Sequence, residues 1–326
     1  MKKLSIISLT LLVIFSGTFF GSVSQAFAQD YPKKNLRWFV GYAPGGGFDT
    51  YSRAIARTMK KYLPKGIQVI VINKPGSASQ LAASTIYNAK PDGYTLGIWP
   101  MPGLYVPQMF FKPKYDVKKV IWLGTVLREP MVLAASSKSK LRNLKDLHQA
   151  KSVRLALTGF TGPEVAAPIT METLGVKTKF ITGHNSSKES MLAALRGDAD
   201  VVIFTYGSLR KLLLKKSFIP ILLLGSDKRE SEFPDLSTAT EAGYPKLDVL
   251  VGAWRVIGAT PGLPKERAQY LRDILWKSIN DKEFLQWSKK AKRPVVPLDG
   301  IETEKALQKV LAQYDGLRGL LKKYIQ

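Results

Sequence analysis

"RWFVGYAPGGGFDTYSRAIA", residues 37–56, contains the transition on which the fold turns. Arg37–Val40 reads as a short buried strand, and Gly41–Gly47 as a proline- and glycine-rich elbow. Beyond it Tyr51, Ala54, Ile55, Met59 and Tyr62 recur at helical spacing on one face. Pro64 and Gly66 end that helix. Strand, elbow and helix make one βα unit, the repeating piece of an α/β protein with largely parallel sheets.

The same unit recurs along the chain. Gln68–Ile72 is the next strand, followed by the turn Asn73–Ser77 and a helix over Gln80–Ala89. A turn at Pro91-Asp92-Gly93 feeds a strand ending near Trp99. Val153–Leu157 then opens a second series, with the elbow Thr158–Gly162 behind it. Thr161 with Glu164, and Ser186 with Glu189, have capping-box spacing, and Gly197 ends the second of these helices. Lys179–Thr182 and Ala199–Phe204 read as strands, Pro264 opens an amphipathic helix, Asp281 caps another, and Glu302–Tyr324 reads as one C-terminal helix. With no low-complexity linker between the two series, the sequence predicts two lobes joined by strands crossing near Leu127 and Gly252. Residues 29–127 and 253–326 form the first lobe and 128–252 the second.

The first residues stand apart. Lys2 and Lys3 precede an apolar run over Leu4–Phe20, and Ala26-Phe27-Ala28 has the small-x-small pattern of a cleavage site. Residues 1–28 are therefore expected to be a secretory signal peptide, which places the mature chain in the periplasm. The absence of cysteine removes disulfides, thiolate catalysis and cysteine-ligated zinc. Stability must then come from core burial, for which a 45% hydrophobic content and roughly 300 mature residues suffice. A net charge of +24 favours anionic partners. The lysines and arginines are scattered, however, with no nucleic-acid-binding signature, so no nucleic acid partner is expected.

The elbow is not a P-loop, because no Gly-Lys-Ser/Thr follows, and no G-x-G-x-x-G opens the helix. No G-x-S-x-G is present, and His148 and His184 share no ligand spacing with carboxylates, so neither catalysis, a cofactor nor a metal is expected. What repeats is the helix start. The first amides of a helix lack an internal partner and carry partial positive charge, so a carboxylate can dock where glycine permits close approach. Four such starts, after Gly47, Gly76, Gly162 and Asn185, point to an anion cleft, although each glycine can equally serve a tight turn.

"YPKKNLRWFVGYAPGGGFDTYSRAIA", "VINKPGSASQLAA", "AKPDGYTLG", "HNSSKESMLAALRGDADV" and "WRVIGATPGLPKE" together resemble the blocks of the Bug, or TctC-type, extracytoplasmic solute receptors of tripartite tricarboxylate transporters. The resemblance covers nearly the whole mature chain. It implies an α/β, two-lobed periplasmic-binding-protein-like fold of type II. That fold closes on a small organic anion, commonly a carboxylate, and delivers it to a membrane permease with large and small subunits. A monomer without catalysis is expected; a sensor feeding a kinase and an enzyme acting on an anionic substrate are the other readings.

Carried over by the resemblance, the first lobe's side of the site is Ala43, Gly45, Gly46, Gly47, Phe48 and Asp49, with Asn73, Pro75, Gly76 and Ser77. The second lobe contributes Thr158, Gly159, Phe160, Thr161 and Gly162, with His184 and Asn185. Two departures bear on ligand identity: Ala78-Ser79 stand where the family has a further glycine pair, and His184 lies where a tyrosine is common. Asp49 would repel a carboxylate, so helix capping is its alternative role. His184 would donate a hydrogen bond and make affinity pH-sensitive if it faces the cleft. Phe48, Trp99, Phe160 and Trp254 either wall an aromatic acid or pack the lobes.

Overall fold

The computed structural model describes residues 31–160, 162–184 and 186–325. The expected signal peptide and two of the expected site residues, Thr161 and Asn185, lie outside these. Strands β1 (Leu36–Val40), β2 (Val69–Asn73), β3 (Thr95–Met101) and β4 (Ile121–Glu129) begin the first sheet. Strands β5 (Met131–Ser136), β6 (Val153–Ala156), β7 (Thr178–Ile181), β8 (Val201–Thr205) and β9 (Phe218–Leu224) build a second. The chain then returns through β10 (Ala253–Ala259) and β11 (Leu298–Asp299). The sheet orders are β11-β4-β10-β3-β1-β2 and β7-β6-β8-β5-β9.

Helices α1 (Gly47–Met59), α2 (Gln80–Tyr87) and α3 (Tyr105–Phe110) follow the first three strands. The second lobe carries α4 (Leu144–Gln149), α5 (Ala166–Thr173), α6 (Ser187–Arg196), α7 (Tyr206–Leu214) and α8 (Pro245–Leu250). After the return come α9 (Lys265–Ile279), α10 (Lys282–Ala291), α11 (Gly300–Asp315) and α12 (Arg318–Ile325). No helix among the described residues is long and apolar enough to cross a membrane.

The two-lobed α/β architecture is the one expected, but its sheets are mixed rather than mostly parallel. The βα units are parallel where they follow one another, with β1 beside β2 and β3, and β6 beside β7 and β8. Strands adjoining the passages between lobes run against their neighbours: β10 against β3 and β4, and β5 against β8 and β9. A strand returning from the other lobe enters the sheet from the opposite end, which forces antiparallel pairing.

Local signals hold well. The α1 face buries Tyr51, Ala54, Ile55 and Met59 against Trp38, Ile98 and Leu271. Trp38 donates its indole N–H to Ser52 Oγ at 2.9 Å, so a polar atom inside that core is satisfied. Ser186 Oγ accepts the Glu189 amide, Asp281 accepts that of Glu283, and Gly197 ends α6 at φ +103°. The C-terminal segment differs from the single helix expected. It breaks after Asp315, and α12 packs on both α3 and α5, one helix from each lobe. Tyr324 on α12 meets Phe160 and Phe180 at 5.5 and 5.2 Å between ring centres.

Candidate functional site

Where the lobes meet, the first elbow and the ends of the second-lobe strands enclose a cavity of about 330 Å3. The elbow contributes Tyr42, Gly46, Gly47 and Phe48, with Tyr42 and Phe48 stacked 4.7 Å apart. Glu129 and Arg255 enter from the strands at the passages between lobes, and Arg293 from the segment after α10. Glu164, Ser187, Thr205 and Ser208 close the second-lobe side.

The electrostatics centre on Gly47, the first residue of α1. A Cβ there would stand 2.8 Å from Arg255 Nη2, too close for both to stay, and 3.6 Å from Arg293 Nη1, an ordinary contact, so glycine makes room for the Arg255 guanidinium beside that of Arg293. Cations stabilise the C-terminal end of a helix, whereas here two of them crowd the positive N-terminal end. An anion bound at that point relieves both repulsions and accepts helix amides that have no internal partner.

Arg255 is 4% exposed and pairs with Glu129, itself 6% exposed. Its guanidinium lies 4.9 Å from the ring centres of both Phe48 and Tyr51. Glu129 Oε1 also accepts the Gly207 amide at 3.1 Å, at the start of α7. One carboxylate from β4 therefore ties β10 of the first sheet to a helix of the second lobe. The Nε of Arg255 and the hydroxyl of Tyr42 are buried without a hydrogen-bond partner among the described residues, both at this cavity. Arg293 has its backbone clamped by Ser288, with its guanidinium 5.8 Å from the Tyr51 ring; no carboxylate among the described residues pairs with it.

Burial raises the Glu164 carboxyl to about 6, against opposing hydrogen bonds from its own amide and the Thr158 hydroxyl. Burial likewise pushes the Tyr42 hydroxyl up, reinforced by nearby Glu164 and opposed by Arg255. These three groups therefore share one electrostatic neighbourhood.

The expected site residues do not all reach the cavity. Gly46, Gly47 and Phe48 line the cavity, while Ala43 and Gly45 lie at the exposed tip of the elbow. Asp49, 3% exposed, sits behind the cavity, accepting the Gly45 amide at 2.9 Å and the Asn73 side-chain amide at 2.8 Å. Burial alone would raise its pKa, but hydrogen bonds from Arg53, Gly45 and Asn73 hold it below the ordinary carboxylate value. Asn73 also donates to the Tyr42 carbonyl at 2.9 Å, so the pair braces the elbow.

Pro75, Gly76 and Ser77 form an exposed turn outside the cavity wall. Thr158 is linked to the cavity through Glu164, Gly159 faces open space, and Gly162 begins the turn into α5 that carries Glu164. Phe160 packs on Phe180 and Tyr324. The His184 ring Nδ1 meets the Leu157 carbonyl at 3.1 Å, at the end of β6. Trp99 and Trp254 belong to the core, leaving Phe48 as the one aromatic of the four considered that reaches the cavity.

The turn after β2 carries a local strain. Ser77, Ala78 and Ser79 all have positive φ, at 46°, 50° and 79°, a region that costs a residue with a Cβ roughly 1–2 kcal/mol. This is the place where the resembling family has glycines. Ala78→Gly should stabilise the protein by about 1 kcal/mol, less the entropy glycine restores to the unfolded chain. An unchanged or lowered urea midpoint would show that the strain is not stored there.

Reasoning from sequence missed Arg255, Glu129, Arg293, Glu164 and the start of α7. One signal was present: Arg255 is the single charge in the apolar strand "AWRVIGA", and such a charge must find a buried partner. A larger depression of about 670 Å3 lies on the second lobe between Asn143 and Ser237, away from these converging charges. No group of three or more histidine, aspartate or glutamate side chains among the described residues could hold a metal.

Residues 51–317 match the family described as the tripartite tricarboxylate transporter family receptor. A protein from the gbd 5' region of Cupriavidus necator is 30% identical over 226 residues, 68% of each chain. BugT of Bordetella pertussis is 25% identical over 253 residues, covering 74% of this chain and 75% of its own. Among solved structures, the periplasmic binding protein BugD superposes with a TM-score of 0.74 at 23% identity, over 90% of this chain and 98% of its own. MatC from Rhodopseudomonas palustris, with bound malate, gives 0.72 at 21% identity, over 88% and 100%.

Proposed function

The chain belongs to the tripartite tricarboxylate transporter receptor family, the one its sequence blocks resemble, and from that premise we propose that it captures a small organic anion in the periplasm. The two lobes, 29–127 with 253–326 and 128–252, close on the ligand and hand it to a membrane permease of large and small subunits. The observation that carries the reading is the meeting of Arg255 and Arg293 at the N-terminal end of α1 around Gly47. A cavity of about 330 Å3 suits a small molecule rather than a polymer. The malate bound to MatC supports a carboxylate as the ligand class.

Binding is what the cleft does: a ligand touching both lobes favours the closed state by its differential affinity for it. Titration calorimetry against a panel of aliphatic and aromatic carboxylates is the test. Saturable binding of at least one acid, weakened by salt, is expected. No saturable binding across the panel would sink the reading.

A further inference from the structure

We infer that the preferred ligand is a zwitterion, an amino acid whose carboxylate meets Arg293 and the start of α1 while its ammonium meets Glu164. The inference rests on the receptor reading above and narrows it. The charged side chains of the cavity wall are Glu129, Glu164, Arg255 and Arg293, two of each sign. Arg255 and Glu129 neutralise each other, and the remaining oxygen of Glu129 holds the Gly207 amide. What that pair leaves over at the cavity is the Arg255 Nε, a donor that suits the carboxylate end of a ligand and offers nothing to its ammonium.

Arg293 and Glu164 remain, one cation and one carboxylate facing the same space with no ionic partner among the described residues. Arg293 is backed by the helix start at Gly47 and suits a carboxylate. Among the described residues Glu164 accepts the Thr158 hydroxyl and its own amide, and a carboxylate offers about four acceptor sites. The unused sites fit the donors of an ammonium. A simple dicarboxylate would place its second negative charge in a cleft that already holds Glu164. Burial raises the carboxyl of Glu164, and a cation beside it would offset that cost. The apolar wall of Phe48, Met131 and Phe204 leaves room for the ligand's carbon skeleton.

The test is titration calorimetry with skeleton-matched acids: succinate with aspartate, glutarate with glutamate, and valerate with norvaline. In at least one pair the amino member should bind about tenfold or more tightly, the worth of one charge-assisted hydrogen bond. In Glu164→Gln that preference should fall to less than about threefold, with the non-amino acid bound as well as or better than before. Equal affinities, or tighter binding of the non-amino member in every pair, overturn the zwitterion and leave the receptor reading standing. A preference that survives in Glu164→Gln removes Glu164 as its source and overturns the assignment. No saturable binding by any of the acids removes the receptor reading, and this inference with it. The wild-type comparison decides the ligand class even if the variant does not fold.

Discussion

Glu129→Leu is expected to cost the fold about 3–5 kcal/mol, because it strands the guanidinium of Arg255 at 4% exposure. The replacement also takes the acceptor from the Gly207 amide. Arg255→Met alone should be costly for the mirror reason, leaving a buried carboxylate with one backbone partner. Combined, the two changes replace an ion pair with apolar side chains of similar length. The double variant should then recover to within about 2 kcal/mol of the natural protein. Urea denaturation of the four proteins gives the coupling energy directly. Single variants that each lose under about 1 kcal/mol, or a double variant whose loss is their sum, would show that the pair is not coupled in the interior. The same cycle separates stability from binding. The double variant keeps its fold but has lost one of the two cations at Gly47, so acid affinity should fall by roughly tenfold.

That buried pair also shows where reading the sequence ran out. Periodicity and capping carry information within about one helical turn, so α1, α6 and α9 were legible with their buried faces and end signals. The glycine elbow was legible for the same reason: Gly46, Gly47 and Phe48 are neighbours in sequence and remain neighbours at the cavity. Glu129 and Arg255 lie far apart in sequence and meet because β4 and β10 pair, a register that no local pattern specifies. Arg293 reaches Gly47 through the packing of α10 on α9 and α1. The mixed sheets have a similar origin, since strand direction follows the path of the chain between lobes rather than the composition of any strand. Asp49 illustrates the opposite case, because its partners Gly45 and Arg53 lie within one turn. A local role at the helix start was legible beside the ligand role, although Gly46 is the N-cap and Asp49 reaches back to the Gly45 amide from inside the first turn instead of capping the helix.

Gly46→Leu should lower affinity for the tightest acid of the calorimetric panel by about 100-fold, near 2.7 kcal/mol, while leaving stability within about 1 kcal/mol. Gly46 has φ −70° and ψ 170°, extended backbone that any residue adopts. A Cβ there meets only the Ala43 carbonyl oxygen, at an ordinary 3.7 Å, so the side chain enters without a clash. Because Gly46 lines the cavity, the added carbons compete with the ligand for space and for the amides at the start of α1. Gly47→Leu supplies the contrast. Its Cβ would press on Arg255 at 2.8 Å, so it should lower both affinity and the denaturation midpoint. A Gly46→Leu protein that binds its acid unchanged would remove the elbow from the ligand's wall. Binding and stability that fall together in Gly46→Leu would instead assign the glycine to the fold, because a residue that only excludes a ligand has no reason to weaken the empty protein.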